Sequence, residues 1–187
     1  MEIKRVWEMP NSKTFEMPSI KDFICNNIKD LERGIVLDPF ANEHSISNHI
    51  SYKLKYVSND IDKEYNTDFN MDALDFLKQY KDNSIDVVLF DPPYSGRQVK
   101  ECYTKLNKTV TMLDTSVNFW TRVRNEIQRI VKVGGLVFSF GWNSNGMGNE
   151  YFEKLKILLV AHGSNHNDTI CVMEQKKKTF CEQLTLF

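Results

Sequence analysis

The feature that most restricts how this chain can fold is the run Ile85-Asp86-Val87-Val88-Leu89-Phe90 leading straight into Asp91-Pro92-Pro93-Tyr94. The run is β-branched and almost continuously apolar, as suits a strand covered on both faces at the centre of a parallel sheet. Two successive prolines end it, because each fixes φ and lacks an amide donor. A central parallel strand requires neighbouring strands, crossover helices and an apolar layer on either side.

The rest of the chain supplies that rhythm. Gly34 precedes Ile35-Val36-Leu37, a buried-strand pattern ending at Asp38, and residues 43–52 have the spacing of a short helix. Tyr56-Val57 forms a second strand core that ends in Asn59-Asp60-Ile61-Asp62, and a short extended piece leads to Met71-Asp72. Residues 73–80 read as a helix, with Ala73, Leu74, Phe76 and Leu77 on one face. A second amphipathic helix spans 116–131, Gly134-Gly135 turns the chain, and 136–140 is a strand. Residues 150–155 look helical, and the strands at 157–160 and 169–173 follow across the turn Gly163-Ser164-Asn165. Two consecutive strands without a helix between them imply an antiparallel pair at one edge. The expectation is an α/β fold: a doubly wound, seven-stranded, mostly parallel sheet ending in an antiparallel hairpin. Residues 1–175 would form one domain and residues 176–187 a flexible tail.

A length of 187 residues, 41% hydrophobic, supports one core. A formal charge of -1 excludes a globally basic nucleic-acid binder but allows a local basic face. No apolar run approaches membrane-spanning length, so a soluble, cytoplasmic protein with no membrane partner is expected. Cys25, Cys102, Cys171 and Cys181 are widely separated and read as idle thiols. His162, His166 and Asp168 read as polar surface residues on the hairpin, so no metal is expected.

In open parallel sheets, ligands bind at the carboxyl ends of the strands. Four expected strand ends carry an acid here: Asp38, Asp60, Asp72 and Asp91. Such carboxylates in one crevice repel each other unless solvent or a ligand rich in hydroxyls and amines satisfies them. Beside the rigid Pro92-Pro93 backbone, Asp91 and the Pro92 carbonyl make two acceptors for the two hydrogens of an amino group. Tyr94 adds a face for a planar base. Accepting both hydrogens favours a pyramidal nitrogen whose lone pair can attack, with alignment supplying much of the rate.

These residues resemble the DPPY-type amino-methyltransferases, the DNA adenine-N6 enzymes above all. Val36-Leu37-Asp38-Pro39-Phe40-Ala41 resembles their first cofactor motif, Asp60 with Ile61 the ribose-holding acid, and Met71-Asp72-Ala73 the loop that reads the cofactor's adenine. Asp91-Pro92-Pro93-Tyr94 matches the catalytic motif, and Thr14-Phe15 corresponds to an element closing over the methionine end. The runs 91–103 and 140–148 are similar to small methylases of phages and mobile elements. The resemblance implies a Rossmann-like methyltransferase fold and S-adenosylmethionine as cofactor. It implies Phe15, Asp38, Pro39, Phe40, Ala41, Asn42, Asp60, Ile61, Asp72 and Ala73 around that cofactor, and Asp91, Pro92, Pro93 and Tyr94 as catalytic residues.

The family's first motif usually continues with glycines; here Ala41-Asn42-Glu43-His44 follows. Asparagine tolerates left-handed backbone, so Asn42 is the expected stand-in. Nor is there room for a large recognition domain. Residues 95–114 carry Arg97, Lys100, Lys105 and Lys108, read either as a phosphate-contacting loop supporting base flipping or as a solvated surface loop. Trp142 and Asn143, after the strand at 136–140, either contact the flipped base or cap the core and make turns. Gln183, Leu184, Leu186 and Phe187 resemble peptides that dock on the bacterial replication sliding clamp; the other reading is a tail packed on its own domain or on a second copy. The leading expectation is N6-methylation of adenine in DNA. Amino-methylation of RNA, or a methyltransferase-like module without activity that binds DNA or a partner, are the alternatives.

Overall fold

The computed structural model describes residues 1–42, 46–106, 117–163 and 166–178. Seven strands form one sheet: β1 (Glu2–Trp7), β2 (Gly34–Asp38), β3 (Leu54–Ser58), β4 (Ile85–Phe90), β5 (Val131–Gly141), β6 (Phe152–Ala161) and β7 (Thr169–Lys176), in the order β1-β6-β7-β5-β4-β2-β3. β7 runs antiparallel to β5 and β6, and every other pairing is parallel. This is the expected α/β, mostly parallel architecture.

The strand at 85–90 is central, as its composition requires. Val87 and Leu89 enter one core with Val36, Phe138 and helix α1 (Pro18–Ile28), whereas Val88 and Phe90 enter another with Leu37 and Val137. α1 begins with a proline, whose missing amide costs nothing in a first turn, and buries Ile20, Ile24 and Ile28 at four-residue spacing. Helix α2 (Ala73–Lys78) is capped by Asp72, whose side chain accepts from the Leu74 amide, and α3 (Gly96–Lys105) is capped by Ser95. Helix α4 (Val117–Ile130) buries Val123, Ile127 and Ile130 in the second core. Each fully buried branched side chain contributes roughly 1.5–3 kcal/mol.

Several expectations are corrected. The extended piece before Met71 makes only an isolated bridge, Asn59 with Phe69; the seventh strand is β1 instead. β1 has no apolar run of its own and forms because β6 offers it a parallel ladder from Glu2 to Trp7. It follows that the β6–β7 hairpin does not lie at the edge. Residues 150–155 are not helical: β6 begins at Phe152, where β7 pairs with it antiparallel from Phe152–Lys176 onward and holds it extended. Of the helix expected at 43–52, the described part contains only a single 3₁₀ turn, Ser47–His49. Gly134 and Gly135 lie within β5, where the register against β4 jumps from Ile85–Val131 to Val87–Leu136. Gly134 takes φ +82°, and a side chain on Gly135 would meet the Lys132 carbonyl at 2.9 Å, so this bulge is built on glycine. Finally, the expected basic loop after Tyr94 contains a helix, α3, which covers one side of the crevice described next.

Candidate active site

The chain crosses from one side of the sheet to the other between β2 and β4, and a cavity opens there, at the carboxyl ends of the strands. Its volume is about 550 Å³. Residues 39–42, Asp60, Ile61, Asp72 and Ala73 line one part; residues 91–94, Trp142 and Phe119 line another. Thr14 and Phe15, in the 3₁₀ turn before α1, and α3 residues Val99, Cys102 and Tyr103 complete the wall.

On the first side, Asn42 has φ +50°, and its amide donates to Asp60 Oδ2 at 2.9 Å. The Asp62 amide donates to Asp60 Oδ1 at 2.9 Å, so the carboxylate is braced by main chain on both oxygens. Burial raises the Asp60 carboxyl above its ordinary value, and these amide bonds oppose the shift. Asn59, just before it, is wholly buried. Its side chain donates to the Pro39 and Met71 carbonyls and accepts from the Met71 amide, each at 3.1 Å, stapling two of the lining loops together. No role for Asn59 is legible in the sequence; a lone asparagine beside an acid carries no local signal that three backbone groups await it. Asp72 Oδ1 caps α2 while Oδ2 accepts from the Tyr103 hydroxyl at 3.1 Å, a bond from α3 that sequence also did not reveal.

Asp38 departs from its expected place. It is fully buried, does not line the crevice, and accepts from the Tyr56 hydroxyl at 2.8 Å. Burial pushes its carboxyl up to about 8, with nearby Asp91 and Asp60 adding to the shift against the Tyr56 and Phe40 hydrogen bonds. At the end of β2 the next residues must turn over the sheet, so Asp38 points below the crevice floor and Phe40 and Ala41 reach it.

On the second side, the Tyr94 hydroxyl donates to Asp91 Oδ1 at 2.5 Å, and the Thr14 hydroxyl also bonds Asp91. Burial raises the Asp91 carboxyl; both hydroxyls act against the rise. Gln98 accepts from the Tyr94 amide at 2.6 Å, and the Trp120 indole donates to the Pro93 carbonyl at 3.0 Å, so α3 and α4 hold the Pro-Pro turn from two directions. Trp142 meets the Tyr94 ring edge-on, with centroids 5.5 Å apart, and remains 45% exposed at the mouth. Asn143 lies outside the crevice, where its side chain accepts from the Asn145 amide in a turn.

Arg97 and Lys100 lie exposed on α3; Arg97 pairs with Glu101 at 2.8 Å. Lys105 lines the crevice and reaches Asp62 at 3.4 Å and Glu64 at 3.9 Å. Lys108 and the segment Gln183, Leu184, Leu186 and Phe187 lie outside the described residues. His162 is buried, contrary to the surface reading: its ring nitrogens contact the Glu8 carbonyl at 2.8 Å and the Thr169 hydroxyl at 2.9 Å. Among the described residues, no three His, Cys, Asp or Glu side chains group as a metal-binding set, and no helix is long and apolar enough to cross a membrane.

An acidic crevice with a main-chain-braced carboxylate, left-handed Asn42 and apolar walls at Phe15, Phe40 and Ala73 suits a ligand bearing hydroxyls, an aromatic ring and a positive charge. S-adenosylmethionine carries all three. A seven-stranded sheet of this topology with such a crevice at its switch point defines an S-adenosylmethionine-dependent methyltransferase.

Over residues 26–177 the sequence matches the family described as probable N6-adenine methyltransferases, and the chain belongs to that family. No curated protein matches the sequence. Solved structures share the fold at low identity. One named as methyltransferase yhhF from Escherichia coli superposes with TM-score 0.59 at 11% identity, covering 92% of each chain. TrmN from Thermus thermophilus gives 0.59 at 13% identity, with 86% of this chain on 49% of that one. An rRNA methylase from Streptococcus thermophilus gives 0.53 at 13% identity, with 83% of this chain on 95% of that one.

Proposed function

We propose that this methyltransferase transfers a methyl group to the exocyclic N6 of an adenine flipped out of DNA. The observation that carries the reading is the Asp91–Tyr94 pair: a desolvated carboxylate held by the Tyr94 and Thr14 hydroxyls, beside a rigid Pro-Pro turn, at the mouth of a crevice whose far side is acidic. In this reading the Asp91 carboxylate and the Pro92 carbonyl accept from the two amino hydrogens. Bonding to Asp91 holds the Tyr94 ring, on which the base stacks with Trp142 at its edge. Asp60, Asp72, Ile61, Phe15 and residues 39–42 hold the cofactor. S-adenosylmethionine, when bound there, supplies an electrophilic sulfonium methyl. A target amine held there would take that methyl at its lone pair and would then shed one proton. Because burial raises the Asp91 carboxyl, the carboxylate is a fit acceptor for that proton. Arg97 and Lys100, exposed beside this mouth on α3, would contact phosphates.

Methylation of RNA is the second reading, favoured by the structural likeness to a protein named as an rRNA methylase. One assay separates the possibilities: nucleoside mass spectrometry after incubation with labelled S-adenosylmethionine and unmethylated DNA or RNA in parallel. Labelled N6-methyladenine from DNA is the expected result. Label in RNA alone would overturn the substrate and keep the chemistry. No label in either, with no thermal stabilisation by cofactor, would favour a module without activity.

A further inference from the structure

Four of the seven large apolar side chains that the described residues expose lie in the first nine positions: Met1, Ile3, Trp7 and Met9. Ile3 is 66% exposed and Trp7 67%. They sit on or beside β1, the edge strand, whose outer side carries no partner among the described residues. The Glu8 amide donates to the Ala161 carbonyl, so residues 4, 6 and 8 turn their main-chain groups towards β6. Ile3, Arg5 and Trp7 therefore present theirs outward. An exposed edge bearing an indole and aliphatic side chains is a template for another strand.

The sequence of the edge itself points to its partner. When a second β1 lies antiparallel with Val6 opposite Val6, Arg5 faces Trp7, Lys4 faces Glu8 and Ile3 faces Met9. The outward-turned Arg5 and Trp7 become a hydrogen-bonded pair, with guanidinium beside indole. Lys4 meets an opposite charge; Glu8 uses Oε2 for the Ser19 amide at 3.1 Å and has Oε1 for the lysine. Centring the pair on Arg5 would instead set Arg5 on Arg5 and Glu2 on Glu8, and centring it on Lys4 would set lysine on lysine. Like charges directly opposite destabilise a pairing.

We propose that β1 is the contact strand of a twofold homodimer, joined antiparallel to its own copy with Val6 on the axis, so that the two sheets become one. The strands of the second copy then run in the opposite direction, and the two crevices open at opposite ends of the joined sheet. The dimer would therefore carry two independent sites, not one shared site. The interface is one strand wide, so association should depend on concentration.

The test is molar mass by light scattering over a concentration series, for the full chain and for Arg5→Pro. Proline there removes an outward amide without touching the β6 ladder, as edge strands tolerate. The expected result is a wild-type mass rising to twice that of the monomer while Arg5→Pro stays monomeric with unchanged circular dichroism. A wild-type chain that stays monomeric, or an Arg5→Pro chain that dimerises equally, overturns the proposal. If Arg5→Pro fails to fold, Val6→Cys decides: non-hydrogen-bonded neighbours on the axis lie ~4.5 Å apart at Cα, within disulfide reach. Mild oxidation should then give a reductant-sensitive dimer band beyond that of the wild type and of Lys4→Cys; no such excess rejects the register.

Discussion

Asp91 and Tyr94 illustrate how little of a residue's behaviour is its own. Burial, then the Asp91 charge and hydrogen bond, raise the Tyr94 hydroxyl, which in turn donates to Asp91 Oδ1 and helps Thr14 hold the carboxylate. Asp91→Ala should therefore lose methyl transfer by about 10²-fold or more, the scale for removing one preorganised hydrogen-bonding group, while cofactor affinity changes little. Calorimetry beside the nucleoside assay checks both, and simultaneous loss of binding would contradict the assignment. Two fully buried acids serve the fold instead. Burial raises Asp38 to about 8, and Glu174, between β5 and β6 on β7, to about 7. Both ionise lower in the unfolded chain, so between those values and the folded ones the native state holds more protons, and stability falls as pH rises. The melting temperature should decline from about pH 5 to about pH 8. Asp38→Asn, which keeps an acceptor for Tyr56, should flatten part of that decline. A wild-type profile flat across the window would mean that both carboxyls are already charged.

At the scale of elements, α3 changes the meaning of the basic segment. A loop would have left its cations equivalent; the helix turns Tyr103 and Lys105 towards Asp72 and Asp62 and leaves Arg97 and Lys100 outside. Replacing Arg97 and Lys100 by alanine should weaken nucleic-acid binding and lower the salt-dependence slope by about one for each phosphate no longer neutralised. Lys105→Ala should change that slope less, because its charge is already set against two acids. Equal effects from all three, in binding titrations at several salt concentrations, would argue that α3 opens away from the acids when nucleic acid binds. β6 makes a related point. Residues 152–155 have an ambiguous pattern, and their extended form follows from pairing with β7, a strand that the local sequence does not contain.

For the molecule as a whole, the acidic crevice should couple ligand binding to global stability. S-adenosylhomocysteine at a hundred times its dissociation constant should add about 2.7 kcal/mol, if it binds only the native state. For a domain of this size that is roughly 5–10 °C in melting temperature. Asp60→Ala should reduce the shift sharply, because it removes a braced acceptor from the crevice wall. A full shift in that variant would place the ligand elsewhere.

Local sequence suffices for the parts governed by short-range rules. A β-branched run ending in two prolines can only be a buried strand that stops, and α4, with its helical apolar period, lies within a residue of its expected bounds at each end. Asn42 is the residue that takes the left-handed conformation, because among its neighbours it is the least strained by it. The assembled fold set what depends on partners distant in sequence. It recruited β1 as the seventh strand, drew Asp38 beneath the crevice to Tyr56, and used Asn59 to tie two loops together. In each case the deciding term is a hydrogen bond or burial shared with a segment at least a dozen residues away. No window of local sequence contains it.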